Sequence, residues 1–270
     1  MSGEQARLTF FGVNLDLLSQ AQVIAIAERA METRQPVRHT ALNVAKLVNL
    51  TDNAELALDV NSSDIVSVDG MGIIYGLSLF GRKAVERVAG IDLFYALLDH
   101  CARTGRRPFI LGAKQAHLDR AMEEARRLYP GLAFAGSRNG YFKAEDWPEV
   151  VRQIALSGAD CLFVAMPSPH KERFLNAHAA ELGVPFVMGV GGSVDVLAGV
   201  VTRAPLWMQE IGLEWFHRLL QEPRKMLGRY TRTNAAYAVM LVRSLMTGSN
   251  PIGTVRADSP TSQSCPSGPE

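Results

Sequence analysis

Short apolar runs alternate with amphipathic stretches along the chain as far as Thr202. Leu8–Val13 reads as a first strand, and Ser19 stands where it would cap a helix running to Glu32. Val37–Leu42 is a second strand. Asn43 follows as the cap of a helix through Lys46, Leu47 and Leu50, with a break near Thr51-Asp52 and a continuation to Val60. Ile65–Val68 is a buried strand by its length and apolar character, and it ends at the turn signal Asp69-Gly70. Helices are expected over Met71–Leu79 and Ile91–Arg103. Strands at Pro108–Leu111, Leu132–Ser137, Cys161–Ala165 and Pro185–Val190 then alternate with helices at Gln115–Leu128, Glu145–Leu156 and His170–Leu182. That alternation implies βαβ units and a mostly parallel sheet covered by helices on both faces. The fold class is α/β.

The pattern changes after Thr202. Helical periodicity without strands covers Leu206–Gln221 and, past Pro223, Arg224–Met246. Residues 248–270, rich in Pro, Ser, Gly and Thr, read as a disordered tail. Three units are therefore expected: an α/β core over 1–202, a helical appendage over 203–247 and the tail. The helical region sets Arg203, Arg218, Arg224, Lys225, Arg229, Arg232 and Arg243 among Trp207, Trp215, Phe216, Leu219 and Leu220. A basic, Trp-bearing amphipathic helix suits the surface of an anionic membrane. The same pattern also fits helices packed on the α/β core, and self-association would compete for the same Trp-bearing surface.

Composition narrows the class. The chain has 270 residues, 47% hydrophobic and 20% charged, as expected of a globular protein with a sizeable core. A formal net charge of +1 gives no reason to expect nucleic acid as a partner. Cys101, Cys161 and Cys265 have no metal-ligand spacing, and no metal or cofactor is expected. The first residues lack a basic segment followed by a long apolar one, and no run reaches the ~20 apolar residues that span a bilayer. The expected location is cytoplasmic, with attachment to the membrane surface allowed.

Candidate chemistry gathers at strand ends. Asp69 would lie at the carboxyl end of a strand, the edge where open α/β sheets bind ligands. Glu86-Arg87-Val88-Ala89-Gly90-Ile91-Asp92 brings an arginine back toward it. A carboxylate with a nearby arginine suits proton abstraction beside a phosphate, although Asp-Gly is also a turn that would cap the helix starting near Met71. Gly189-Val190-Gly191-Gly192-Ser193-Val194-Asp195 follows a strand, and its backbone N–H groups suit a diphosphate or a structural turn equally. It lacks the Lys-Ser/Thr of a P-loop, and the missing third glycine of the dinucleotide fingerprint, with no obvious ribose-binding acid after it, counts against an NAD-dependent oxidoreductase. Asn139 and Tyr141, in Ser137-Arg138-Asn139-Gly140-Tyr141-Phe142, would share the sheet edge with Asp69. Lys171, in Pro169-His170-Lys171-Glu172, stands where it would meet an anion or simply be solvated; His170 reads as exposed.

Together these blocks, with Arg203-Ala-Pro-Leu-Trp, Gly212-Leu-Glu-Trp-Phe-His-Arg-Leu and Glu222-Pro-Arg, resemble the WecG/TagA/CpsF glycosyltransferase family over about Leu8 to Tyr230. The resemblance implies a Rossmann-like core and a C-terminal membrane-targeting appendage. It implies an inverting, metal-independent transferase that moves a hexose from a UDP-sugar to a polyprenyl-diphosphate-linked sugar in bacterial envelope polysaccharide synthesis. The hexose would be of the N-acetylmannosamine type; a glucosyl or other hexosyl donor, or a non-catalytic UDP-binding relative, is the alternative. The implied location is the inner face of the plasma membrane.

By the same resemblance, Asp69 is the general base and Arg87 stabilises the departing UDP. Asn43 and Thr40 stand on the substrate side. Arg218, Arg224 and Arg229 are anchors for a diphosphate, a task suited to guanidinium. The chain departs from the family pattern twice. The family's Thr-x-Asn becomes Ala41-Leu42-Asn43 with Thr40 offset by one, which would turn the hydroxyl to the opposite face of the strand unless a bulge corrects it. Its Pro-x-Gln-Glu becomes Pro169-His170-Lys171-Glu172, which adds a charge beside the sugar pocket.

Overall fold

A computed structural model describes residues 7–82 and 85–254. The chain opens with strands β1 (Arg7–Phe10) and β2 (Val13–Asp16), helix α1 (Gln20–Thr33), β3 (Val37–Leu42), α2 (Val44–Asp52), α3 (Ala54–Asn61), β4 (Ile65–Val68) and α4 (Met71–Leu79). It continues through α5 (Gly90–Thr104), β5 (Pro108–Gly112), α6 (Gln115–Leu128), β6 (Gly136–Arg138) and α7 (Trp147–Leu156), the last preceded by a 3-10 turn. Next come β7 (Cys161–Ala165), α8 (His170–His178), β8 (Phe186–Gly189) and α9 (Ser193–Leu197). The final elements are α10 (Leu206–Glu210), α11 (Glu214–Gln221), α12 (Pro223–Thr247) and β9 (Ile252–Thr254).

Six strands form one parallel sheet in the order β4-β3-β8-β7-β5-β6. Side chains alternate across it: Phe186 and Met188 join the cluster under α1, α5, α6 and α9, while Val187 joins the one under α7 and α8. A third cluster unites α2, α3 and α4 with the hairpin β1–β2 and with Tyr237 of α12. The helix after β3 therefore covers one face and the helix after the adjacent β8 covers the other. That reversal opens a crevice at the carboxyl ends of β3 and β8, the usual ligand position in such sheets.

Local sequence accounts for most boundaries. Ser19 accepts from the Gln22 N–H while the Gln22 side chain accepts from the Ser19 N–H, a reciprocal cap that starts α1. Asn43 and Asn53 cap α2 and α3 through Lys46 N–H and Leu56 N–H, which explains the expected break near Thr51-Asp52.

Other expectations are corrected. Leu8–Val13 is not one strand but a hairpin, because Phe11 (φ 48°) and Gly12 (φ 77°) both take positive φ and turn the chain back. The strand expected over Leu132–Ser137 is only Gly136–Arg138. Leu132 drops into the core, and pairing with β5 begins at Gly136 opposite Phe109. Helix α8 stops at His178, and a turn through Gly183 (φ 62°) takes the place of its expected last residues. The helix expected over Leu206–Gln221 is two, divided at Gly212 (φ 76°), where a Cβ would stand 2.7 Å from Met71 Cβ. Part of the expected tail is ordered: Ile252–Thr254 pairs antiparallel with β1 as the third strand of a small sheet, β2-β1-β9. Residues 255–270, Cys265 among them, lie outside the described residues.

The C-terminal helices are integrated with the core. Tyr237 of α12 donates to the Gly72 carbonyl at 2.9 Å and fills the space left by Gly76, where any Cβ would collide with its hydroxyl. No helix among the described residues is long and apolar enough to cross a membrane.

Candidate functional site

Asp69 sits one residue past β4, half-buried. Its Oδ1 accepts the N–H of Gly90, the first residue of α5, at 2.9 Å, and its Oδ2 faces the Asn43 amide at 3.4 Å. The expected cap of the helix at Met71 is corrected: Gly70 is the N-cap residue of α4, which has no side-chain cap, and Asp69 instead serves the N-terminus of α5. A carboxylate there also matches the helix dipole. Asn43 is held from both sides, since its Oδ1 accepts the Lys46 N–H at 3.0 Å. Ala41 lies nearby, 3.7 Å from where a Gly90 Cβ would stand.

Arg87 lies in the loop that Val88 pins to β4 through an N–H bond to the Val68 carbonyl at 2.8 Å. Its guanidinium pairs with Glu214 of α11 at 3.2 Å. Glu214 also meets Arg203 at 3.4 Å, and Arg203 grips Asp92 of α5, with one contact at 2.8 Å. This relay ties the start of the appendage to the segment that carries Arg87. Tyr75 of α4 donates to the Ile211 carbonyl at 3.5 Å, and Arg218 of α11 lies on the glycine turn. A Cβ at Gly192 would stand 2.7 Å from Arg218 Nη2, so glycine is required there for the guanidinium to approach. Helix α11 thus covers the ends of β4 and β8, while the junction between α10 and α11 packs on α4.

Beneath the turn runs a buried strip of charge. Lys46 Nζ is 3.0 Å from Glu172 Oε1, and both residues are buried. Lys171 Nζ approaches the same oxygen at 3.7 Å. Its stem packs on Gly189, where a Cβ would stand 3.0 Å from Lys171 Cε. Burial pushes Lys171 down to about 8, Lys46 adds to that shift, and the Glu172 and Asp69 charges oppose it. Burial raises Glu172, but the two lysines outweigh it and hold its carboxyl below the usual range. His39, fully enclosed behind this strip and 2.9 Å from Ser67 Oγ, is pushed down to about 3, chiefly by burial.

Among the sequence-derived candidates, Asp69, Asn43, Arg87, Lys171, Gly189, Gly191, Gly192 and Arg218 converge on this edge. Thr40 does not: β3 is regular, so its hydroxyl points to the opposite face and meets Ser63 Oγ at 2.9 Å. Asp195 Oδ1 accepts from His117 Nδ1 of α6 at 2.8 Å, on the face of the sheet occupied by α6 and α9. Asn139 caps its own turn through the Tyr141 N–H and bonds Gln115. With the exposed Tyr141 it follows β6 at the far edge of the sheet. That is five strand spacings from β4, roughly 24 Å. Arg224 is exposed, and Arg229 is exposed and stacks over Tyr230. Sequence reading missed Lys46, Glu172 and Glu214. The only local signal for Lys46 was its place on the buried side of α2. Among the described residues no three His, Cys, Asp or Glu side chains cluster as a metal site.

The fold and the cleft define a doubly wound α/β protein with a helical appendage laid over the carboxyl edge of its sheet, where such sheets usually take ligands. The chain belongs to the Glycosyl transferase WecG/TagA/CpsF family, whose sequence model matches residues 8–251. It is 37% identical over 166 residues to the N-acetylglucosaminyldiphosphoundecaprenol N-acetyl-beta-D-mannosaminyltransferase of Bacillus spizizenii, covering 62% of this chain and 64% of that one. The protein of the same name from Bacillus subtilis is 35% identical over 164 residues, covering 61% and 63%. The chain thus matches a little under two thirds of the length of these relatives.

Proposed function

We propose that this protein is an inverting, metal-independent glycosyltransferase. It moves an N-acetylmannosamine-type hexose from a UDP-sugar to a polyprenyl-diphosphate-linked sugar, in bacterial envelope polysaccharide synthesis. The observation that carries the reading is the convergence on one sheet edge of a held carboxylate, Asp69, with the cations Arg87, Arg218 and Lys171. The relatives' names supply the sugar transferred and the type of acceptor.

In this reading Asp69 accepts the proton of the acceptor hydroxyl. The acceptor oxygen bonds to the anomeric carbon from the face opposite the leaving group, and the bond from that carbon to the diphosphate oxygen breaks. The electron pair leaves with UDP, where Arg87 and Arg218 meet the developing charge; fixed cations in a covered cleft do this with little reorganisation. Lys171 is a further donor contact. The Gly189–Gly192 turn lets Arg218 and Lys171 approach from its two sides.

The lipid-linked acceptor implies work at a membrane surface, and we place the protein peripherally on the inner face of the plasma membrane. Support comes from Leu206, Trp207, Ile211, Leu220 and Leu227, all more than half exposed, interleaved with the exposed Arg224 and Arg229.

The deciding experiment offers a panel of UDP-sugars with an N-acetylglucosaminyl-diphosphate polyprenol acceptor and measures UDP release, with EDTA in a parallel series. Acceptor-dependent release from one donor, unaffected by EDTA and reduced about 100-fold or more by Asp69→Asn, is expected. UDP binding without release from any donor would leave a non-catalytic UDP-binding relative. Near-normal turnover in Asp69→Asn would remove the base assignment.

A further inference from the structure

We propose that Lys171 binds an anionic oxygen of the nucleotide-sugar donor, and that Glu172 holds it in place for that purpose. The inference rests on the donor reading above and deepens it: donor affinity in this protein depends on the charge of one lysine.

Three observations carry it. Lys171 starts on α8 but runs against the glycine turn, its Nζ 3.6 Å and 3.9 Å from where Cβ atoms of Gly189 and Gly191 would stand. Its side chain is only 12% exposed, so water supplies little of what an ammonium group needs. Finally, its partner is already engaged. Glu172 lies closer to Lys46 (3.0 Å) than to Lys171 (3.7 Å), so two ammonium groups share one carboxylate. Asp69, the other nearby carboxylate, is turned toward the Gly90 N–H and the Asn43 amide. The Lys46–Glu172 pair is neutral by itself, so Lys171 adds one net positive charge to the buried strip. A desolvated ammonium with three donors and half a partner, facing a turn open to close approach, is suited to a negatively charged ligand oxygen.

Two parts of a nucleotide sugar supply such an oxygen: the diphosphate and, where the sugar is acidic, its carboxylate. The diphosphate is favoured by Arg218, which flanks the same turn at Gly192.

The charged groups facing Lys171 are Lys46 from α2, Glu172 from its own helix, Asp69 from the end of β4 and, across the turn, Arg218 from α11. Burial pushes its pKa down to about 8. A bound anion favours the protonated form, so donor affinity is full below that pH and declines above it, by about tenfold per pH unit at the limit of one proton.

The test measures the dissociation constant of UDP by calorimetry on the full chain from about pH 7 to about pH 9.5, where the nucleotide's own phosphate, with a pKa of roughly 6, stays ionised. The same titration is run with a neutral UDP-N-acetylhexosamine and a UDP-hexuronate. Wild-type affinity for UDP should weaken above about pH 8. K171R, which keeps its charge, should lose that decline. E172Q removes a charge that helps hold the proton, so its decline should begin at lower pH. A decline seen only with the UDP-hexuronate would assign Lys171 to a sugar carboxylate. Parallel profiles for wild type and K171R, both folded by circular dichroism, would overturn the proposal while leaving UDP as a ligand. No UDP binding at any pH would sink the donor reading and this inference together.

Discussion

Arg87 and Glu214, 127 positions apart in the chain, meet at 3.2 Å where the appendage crosses the end of β4. An arginine assigned to a departing diphosphate is therefore already paired with a carboxylate, and the ligand must compete with Glu214 for it. Both side chains keep some exposure, 17% and 32%, so the pair is screened and its exchange costs little. E214Q should tighten UDP binding about twofold to fivefold, the equivalent of a partly buried, screened ion pair worth roughly 0.5–1 kcal/mol. Calorimetric titration reads it directly. Weaker binding in E214Q would mean that Glu214 orients Arg87 rather than competing for it.

The contact between Arg218 and Gly192 makes a second prediction. R218K should bind UDP less tightly by about tenfold, because an ammonium replaces the planar fork that lies on the turn. G192A should act in the same direction, since its methyl group would occupy space now held by the guanidinium. Unchanged UDP affinity in both variants would reduce Arg218 to a packing residue.

Helix α4 carries Gly72 and Gly76 one turn apart, and Tyr237 of α12 fills the resulting groove. G76A should destabilise the fold by about 1–3 kcal/mol through overpacking. G228A, at an exposed site in α12 with nothing near its added methyl, should stabilise by about 0.5–1 kcal/mol. Urea unfolding would check both. A neutral G76A would show that α12 yields easily at this point.

His39 supplies a pH dependence of stability. Its folded pKa of about 3 lies below the ordinary 6.5, so between these values the unfolded chain binds a proton that the folded one refuses. Stability is therefore lost as pH falls below 6.5, by at most ~1.4 kcal/mol per pH unit from this group. His39→Gln should show a shallower decline in urea midpoint between about pH 4 and 6. Identical slopes would place the acid sensitivity elsewhere.

Trp207 is 59% exposed and Leu206 73% exposed on α10. The double substitution L206S/W207S should reduce co-sedimentation with phosphatidylglycerol vesicles several-fold while leaving the urea midpoint nearly unchanged, because little packing is lost. Undiminished vesicle binding would move the membrane contact away from α10.

Much of this molecule is local, and the sequence by itself determined that part. β3, β4, β7, α4 and α6 follow from runs of apolar residues and their turn signals, and the Ser19 and Asn43 caps follow from side-chain chemistry within three residues. The place of Asp69 at a strand's carboxyl end was legible for the same reason: a strand, an Asp-Gly turn and a helix start are short-range events. Where local signals were weak, the reading slipped. Phe11-Gly12 lacks the usual hairpin residues, so two strands looked like one, and Ile252–Thr254 gives no sign of a strand until β1 stands beside it. Tertiary structure alone decided which charges meet. Lys46 finds Glu172, Arg218 reaches Gly192 and Glu214 finds Arg87 only after the sheet, α8 and the appendage have packed. Such pairings depend on strand order and helix docking across long stretches of chain, and residue type alone carries neither.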